Sequence, residues 1–570
     1  MEDKKMKVKF NVLAIICIIL FSFVIAPVTL QNDTFYTIKI GEHIINNGID
    51  MQDPFSWHED LAYTYPHWAY DTGIYLIYNL GQISGIQDGG MLFIYLSTAI
   101  LSCILGVLVY ITSCKISKNN LISFILTLFT MYLMINFIAA RAQLVTFIMF
   151  VLTILFIEKF IESKKKRYLV SIVFISIIIA NVHVAVWPFF FVLFMPYIAE
   201  YIIACIIDAN IISKIILFIN NDNIKNLEKK LLKEKNEEKK KILNQKLEEA
   251  KEKLVKVKEK EEKILEKNKL KRENPYKLKI EKKSAVKWII LVMIICAFTG
   301  LLTPLGDTPY TYLVKTMQGT TMKSISEHQP LVLFNDKETM TVLVLFLAIL
   351  IFTDTKIELK DFFMVAGLIF LAFMSRRQVS MLVLIGGFIF AKWLNYLFTK
   401  YDPDGTKKIM NLMNTLLGKV ITLSIIVLIC VCFIKPKLDD KFINDKKYPV
   451  EASNWMLENL NLENMRLYNE YNYGSYLLLR GIPVFIDSRA DLYAPEFNKT
   501  DSQDEGRNIF SDYISVSTIS SYYETKFEKY DITHVILLNN TKLNMFISRD
   551  ENYKQIYKDD YFVIYERNVD

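Results

Sequence analysis

Apolar runs recur along the chain, each close to the ~20 residues a helix needs to cross hydrocarbon, and short charged stretches separate them. They fall at 10–30, 92–112, 120–139, 142–161, 167–182, 184–206, 286–304, 338–353, 361–375, 379–396 and 418–434, which predicts about eleven spans. The first run starts directly after MEDKKMKVK and shows no small-residue cleavage pattern before Gln31-Asn32-Asp33, so it reads as an uncleaved span. The N-terminus and the linking stretches 112–118, 162–167, 353–360 and 398–408 are rich in Lys and Arg, which places them in the cytoplasm by the positive-inside rule. The same count puts 31–90, 302–337 and the tail from 435 outside.

Two segments break the pattern of spans. The stretch 222–284 has no Gly and one Pro, Pro275, and its Lys/Glu spacing favours helix through i,i+4 pairs. Leu243, Leu247, Ala250, Leu254, Val257 and Ile264 follow steps of four and three, a short coiled-coil seam interrupted by Glu261. One straight helix from Ile224 to Lys271 would reach ~70 Å, while the dozen or so residues left could return only ~45 Å. The insert must therefore bend, lie along the membrane face or form a hairpin, and a break near 236–241 is the reading preferred. It serves either as a solvated spacer or as an arm for a protein partner or self-association.

The tail changes character near Tyr448. Met465–Tyr468, Pro483–Ile486, His534–Leu538, Gln555–Tyr557 and Phe562–Tyr565 predict strands, Lys558-Asp559-Asp560 a hairpin turn, and Glu451–Glu458 and Tyr471–Leu479 helices. The organisation expected is a polytopic helical membrane domain over 1–434, containing the outer loop 31–90 and the cytoplasmic coiled-coil insert 222–284, and then an extracytoplasmic α/β domain over 435–570.

Composition adds limits. Hydrophobic residues make up 52% of the chain. The net charge of +7 is dominated by a mixed-sign block in the insert and shows no basic-aromatic interleaving, which argues against nucleic acid. The seven cysteines lie in or beside apolar runs without paired or metal-ligand spacing.

Threading the spans gathers Asp33, Arg141, His183, Glu327, Arg376, Arg377 and Asp487 on the outer side. Asp33 follows the first span at once, where a carboxylate can meet a lipid-borne and a water-borne substrate together; it could equally cap a helix over Thr34–Ile45. Arg376 and Arg377 sit at an outer turn between two spans and Arg141 at another, where they could bind phosphate or merely snorkel. Asp487 and Arg489 follow a predicted strand and suit either a binding loop or a buried ion pair. His43, His58 and His67 share the first loop with Asp50, Asp53, Glu59 and Asp71; this admits a divalent cation, although the spacing matches no metal motif.

Ordered motifs carry a family resemblance. The outer loop opens with Asp33 and runs through NNGIDMQDPFSWHED to YPHWAYDTGIYLIYNL. Ala140-Arg141-Ala142-Gln143, Asn181-Val182-His183, Leu302-Thr303-Pro304-Leu305-Gly306, Ile325-Ser326-Glu327-His328, Ser375-Arg376-Arg377 and the tail's YNEYNYGSYLLLRGIPVFIDSRADLY follow in turn. In this order they resemble GT-C-type integral-membrane glycosyltransferases, in particular a largely uncharacterised bacterial and archaeal branch. His328 stands where that pattern has Trp, and no Gly follows His183.

The resemblance implies a hexosyl- or pentosyltransferase of the prokaryotic cytoplasmic membrane that takes a sugar from a polyprenyl-phosphate donor and passes it, with inversion, to a glycan, lipid or protein acceptor of the cell envelope. An acidic residue of the first outer loop would act as base: Asp33, with Asp53 second. Arg376, Arg377 and Arg141 would hold the donor phosphate, and His183, Glu327, His67, Asp487 and Arg489 are candidates for substrate binding. A transporter or flippase of a lipid-linked saccharide and a noncatalytic scaffold are the rivals. Apolar span centres and the lack of an internal repeat favour the enzyme.

Overall fold

The computed structural model describes residues 2–208, 211–233, 237–274, 277–319, 325–352, 356–498 and 508–568. The chain is mostly helical. It opens with α1 (Glu2–Ile25), α2 (Asn32–Asn47), α3 (Trp68–Ile83), α4 (Gly89–Ser117), α5 (Asn120–Leu133), α6 (Ala142–Ser163), α7 (Arg167–Val182), α8 (Trp187–Val192) and α9 (Met195–Asp208). The insert holds α10 (Ile211–Lys233) and α11 (Glu237–Glu273), and a two-residue strand, β1 (Leu278–Lys279), follows it. Next come α12 (Val286–Phe298), α13 (Thr308–Gln318), α14 (Lys337–Phe352), β2 (Ile357–Glu358), α15 (Leu359–Met374), α16 (Val379–Tyr401), α17 (Gly405–Asn414) and α18 (Leu416–Ile434).

Six segments are long and apolar enough to cross a membrane: Met6–Ile25, Gly89–Ser117, Ala142–Ser163, Val184–Asp208, Arg376–Tyr401 and Leu416–Lys437. The chain is a multi-pass membrane protein. Helices also occupy the other apolar runs, but several are shorter than a span: α5 has 14 residues, and α7, α14 and α15 have 16 each. The run at 120–139 is cut because its last third turns, through a 3-10 helix at Ile135–Phe137, to present Arg141.

A bundle core packs α1, α4, α5, α6, α7 and α16 around Phe10, Met131, Val151, Ile172, Leu384 and Trp393. On α18 the apolar side chains turn outward, with Leu416, Leu417 and Leu428 among the most exposed, as expected of a helix solvated by lipid rather than water.

A second core joins the first outer loop to the tail, through Phe35, Leu61 and Tyr65 on one side and Tyr448, Tyr476, Phe485 and Tyr493 on the other. The tail contains α19 (Val450–Asn459), β3 (Leu467–Tyr468), α20 (Tyr471–Leu479), α21 (Ile509–Ser517), α22 (Tyr523–Lys529), β4 (His534–Leu538), α23 (Lys542–Ile547), β5 (Tyr553–Lys558) and β6 (Phe562–Arg567). Its sheet runs β3-β4-β6-β5; β3 and β4 are parallel and the remaining pairs antiparallel. Asp559 forms the β5–β6 turn by accepting from the backbone N–H groups of Tyr561 and Phe562.

The strand expected at Pro483–Ile486 does not form. Asn469 takes its backbone instead, accepting from Phe485 N at 2.8 Å and donating to Ile486 O at 2.7 Å, while Val484 bridges only to Ser56 of the outer loop. A Cβ at Gly474 would collide with Ile486 O and Asn469 Nδ2, so α20 can pack this closely only with glycine there.

Exposed Asn461, in the tail, and Glu252, on α11, should lie across the membrane from one another. In intact cells an impermeant thiol reagent should label Asn461→Cys and should reach Glu252→Cys only after lysis; the reverse pattern would invert the topology.

Candidate active site

Asp33 lies in the first turn of α2, but the cap position belongs to Gln31 and the Asp33 carboxylate takes no capping bond. It points instead at Arg141, with Oδ2 2.8 Å from Nη2. Arg141 is the extended residue that precedes α6, and Thr34 Oγ1 donates to Ala140 O at 3.2 Å, fastening α2 to this turn. The other side of the guanidinium faces Glu327, 3.7 Å away. Burial works against the charge on Arg141, but the Asp33 and Glu327 carboxylates outweigh it and raise its pKa above the ordinary guanidinium value.

Glu327 sits on a short 3-10 turn (Ser326–His328) strapped to a second one, Arg376–Gln378. Ser375 Oγ donates to Glu327 O at 3.2 Å, and Arg376 N donates to Gln329 O at 3.1 Å. The two turns bring Arg376 and Arg377 to the same cavity as Arg141 and Glu327, a space of about 570 Å³. Gln31, Asn136, Gln143, Asp336 and Glu338 complete its polar wall.

Leu133, Val342 and Val383 also line this cavity, and the same three side chains continue into an apolar cleft among α5, α14 and α16 bounded by Phe129, Phe346, Leu382 and Phe390. Arg377 and Gln143 border a further apolar cleft between α6, α8 and α15.

His67 and His183 pack beside this region with ring centroids 4.9 Å apart and planes tilted by 57°, and His183 Nδ1 lies 3.0 Å from Thr146 Oγ1. Trp68 Nε1 donates to Asn181 Oδ1 at 3.1 Å and Val184 N to Pro66 O at 3.0 Å, so the Asn181–His183 segment anchors the outer loop to the bundle. Burial pushes the His67 pKa down to about 3, and the positive charges of Arg377 and Arg141 add to this. His328 falls to about 4 by burial and Arg377, against the pull of Glu327. Both imidazoles are therefore neutral at physiological pH.

Asp53, Asp487 and Arg489 form a separate, closed cluster. Arg489 Nη1 lies 2.7 Å from Asp53 Oδ1 and Nη2 lies 2.7 Å from Asp487 Oδ2, and none of the three side chains is more than 1% exposed. Tyr493 donates to Asp487 at 2.6 Å, and the guanidinium lies over Phe55 and Tyr63. Asp53 also accepts from Ser56 N at 3.0 Å, leaving no free face for a substrate proton. The buried-pair reading therefore describes Asp487 and Arg489.

The loop residues that admitted a cation are also engaged elsewhere. His43 pairs with Asp50 at 2.9 Å and His58 Nε2 meets Phe485 O at 2.9 Å. Among the described residues no three His, Cys, Asp or Glu groups come together as a metal site, and Asp33 and Glu327 face a guanidinium.

The sequence did not single out Asp336 and Glu338. Asp336 accepts from Thr339 N at 2.9 Å at the start of α14. Acidic residues opening an apolar run were the available signal, and helix capping accounts for the same pattern.

The fold is similar to that of a solved archaeal oligosaccharyltransferase. The oligosaccharyltransferase from Archaeoglobus fulgidus in its apo form is similar over 93% of this chain and 69% of its own, with a TM-score of 0.52 and 12% identity. The archaeal oligosaccharyltransferase AglB from the same organism, in complex with an inhibitory peptide and a dolichol-phosphate, matches over the same shares at a TM-score of 0.51, again with 12% identity. At that identity the likeness concerns the fold. No family model and no curated protein matches the sequence.

Arg489→Met would leave two buried carboxylates unpaired, a loss of about 3–5 kcal/mol. It should lower the melting temperature sharply and expose the tail to protease, whereas Arg466→Met, at a largely exposed pair with Asp531, should change little. A histidine held neutral in the fold contributes stability that is present above pH 6.5 and lost as pH falls from there toward its folded value. Between pH 6.5 and 5, His67→Gln should therefore flatten the decline in stability by up to about 1.4 kcal/mol per pH unit; unchanged slopes would contradict a neutral His67.

Proposed function

We propose that this chain transfers a sugar from a lipid-linked phosphate donor to a cell-envelope acceptor, on the outer side of the cytoplasmic membrane. The observation that carries the reading is the convergence of Arg141, Arg376 and Arg377 on one cavity that shares Leu133, Val342 and Val383 with an apolar cleft between helices. A polyprenyl phosphate has this shape in chemical terms: an anionic head for the guanidinium groups and an isoprenoid tail for the cleft. The fold-mate AglB has been captured with a dolichol-phosphate and an inhibitory peptide, which supports a lipid carrier and an acceptor here too.

In the proposed reaction the acceptor's nucleophilic oxygen or nitrogen attacks the anomeric carbon as the bond from that carbon to the phosphate oxygen breaks. The phosphate leaves with the bonding electron pair toward Arg376 and Arg377, whose fixed charge stabilises it. Asp33 receives the acceptor proton once the substrates part it from Arg141, and a single displacement inverts the anomeric centre. Arg141 holds the Asp33 carboxylate in place before substrate arrives. The Asp53–Arg489–Asp487 cluster fixes the outer loop against the tail, and His67 and His183 orient the wall beside the arginines.

In cells, Asp33→Asn at equal membrane expression should reduce glycan transfer at least about 100-fold, read from envelope glycans and from accumulating lipid-linked donor. Arg377→Gln should weaken donor use, with Arg376→Gln intermediate. Wild-type product levels in Asp33→Asn would remove it as the base, and a defect confined to the distribution of donor between leaflets would favour a flippase.

A further inference from the structure

The helical insert rises from the end of the bundle opposite the arginine cavity. α6 begins beside Arg141, and near its far end Glu158 meets Lys360, at the start of α15, at 2.6 Å. At this far end Asp208, closing α9, holds Arg272 of α11 at 3.1 Å, and Asn268 reaches Ile207 O. From this base α10 and α11 run antiparallel. Leu217, Ile224 and Leu227 of α10 and Leu247, Ala250, Leu254 and Val257 of α11 are among the side chains of the pair with reduced exposure, as expected of facing positions.

That pairing leaves part of α10 without a partner. Ile215, Ile216 and Ile219 are 54%, 42% and 52% exposed, and Phe218 is 74% exposed, all within the first turns beyond the bundle. Further along the same flank, Lys229, Lys230 and Lys233 join Lys246 and Lys253 of α11 around a groove of about 630 Å³ whose one acidic wall residue is Glu249. The lysines are exposed and form no ion pair among the described residues.

α11 cannot share the apolar environment that α10's first turns ask for. Opposite those turns it carries Lys256, Lys258, Glu259, Lys260, Glu261, Glu262 and Lys263, which hold it in water. Both helices are satisfied if the pair lies along the membrane with the α10 flank and the lysine groove down and the rest of α11 in water. An apolar patch continued by a field of lysines is the chemistry of an interfacial helix on an anionic lipid surface.

We propose that the α10 flank docks on anionic lipid headgroups of the leaflet at this end of the bundle. Ile215, Ile216 and Ile219 enter the boundary between headgroups and acyl chains, and the five lysines contact the phosphates. The inference stands independently of the glycosyltransferase reading.

The test uses the full-length protein in nanodiscs, whose two faces are both open to solvent, made of phosphatidylcholine alone or mixed with phosphatidylglycerol. Tryptic cleavage after Lys229, Lys230, Lys233, Lys246 and Lys253 is followed by mass spectrometry, with cleavage at exposed Lys554 in the tail as internal reference. Anionic discs should slow the insert cuts at least about tenfold relative to the reference, and high salt should restore them. The variant Ile215→Ser/Ile216→Ser/Ile219→Ser, which leaves every tryptic site in place, should lose most of the protection. Equal rates in the two disc types would overturn the proposal. So would protection that ignores lipid composition and grows with protein concentration, which would assign the flank to a second copy of the chain.

Discussion

Charge cannot rest in hydrocarbon without a partner, and that constraint sorts this molecule into two polar ends. At one end Arg141, Glu327, Arg376 and Arg377 line a cavity, and Asp33 pairs with Arg141. At the other, Glu158, Lys360, Glu358, Lys392 and Asp361 form a buried network that closes the feet of α6, α15 and α16. The two networks differ in completeness. At the far end each carboxylate has a lysine within 4 Å, as a structural joint requires. At the cavity the pairing converges on one cation: Arg141 is shared by Asp33 and Glu327, its Nε is buried without a hydrogen bond, and Arg376 and Arg377 turn toward the cavity. Three guanidinium groups gathered on one wall beside an apolar cleft suit an anionic head with an apolar tail.

The loop 31–90 and the tail are folded together so that this arrangement is held in place. Arg489 ties Asp53 to Asp487, Trp57 donates to Leu467 O, and Tyr312 donates to Asp491. Chain segments more than 400 residues apart thus share one aromatic core. The position of Asp33 depends on that core at one remove, because Phe35 of the same helix packs between Tyr448 and Tyr476.

Much of this was legible in the sequence, for identifiable reasons. Apolar runs located the bundle helices because lipid imposes length and composition locally. The strands at His534–Leu538 and Phe562–Arg567 and the Asp559 turn followed from residue type and alternation. Pairing across the fold was not legible. Whether Asp33 caps its helix or meets Arg141 depends on contact between segments more than 100 residues apart, and whether Asp53 is free or buried depends on Arg489 at the other end of the chain. The failed strand at Pro483–Ile486 has the same origin, since the side chain of Asn469 took the bonds that a neighbouring strand would have made. Helix ends were equally opaque, because polar turns such as the one before Arg141 shorten an apolar run without changing its composition.

The central claim, that the arginine cavity receives the phosphate of a lipid carrier, is tested most directly by an experimental structure of the Asp33→Asn protein with a polyprenyl phosphate bound. The account predicts phosphate density within hydrogen-bonding distance of Arg376 or Arg377, with the chain following the cleft between α5, α14 and α16. A phosphate bound elsewhere, with the cavity left to solvent, would contradict it.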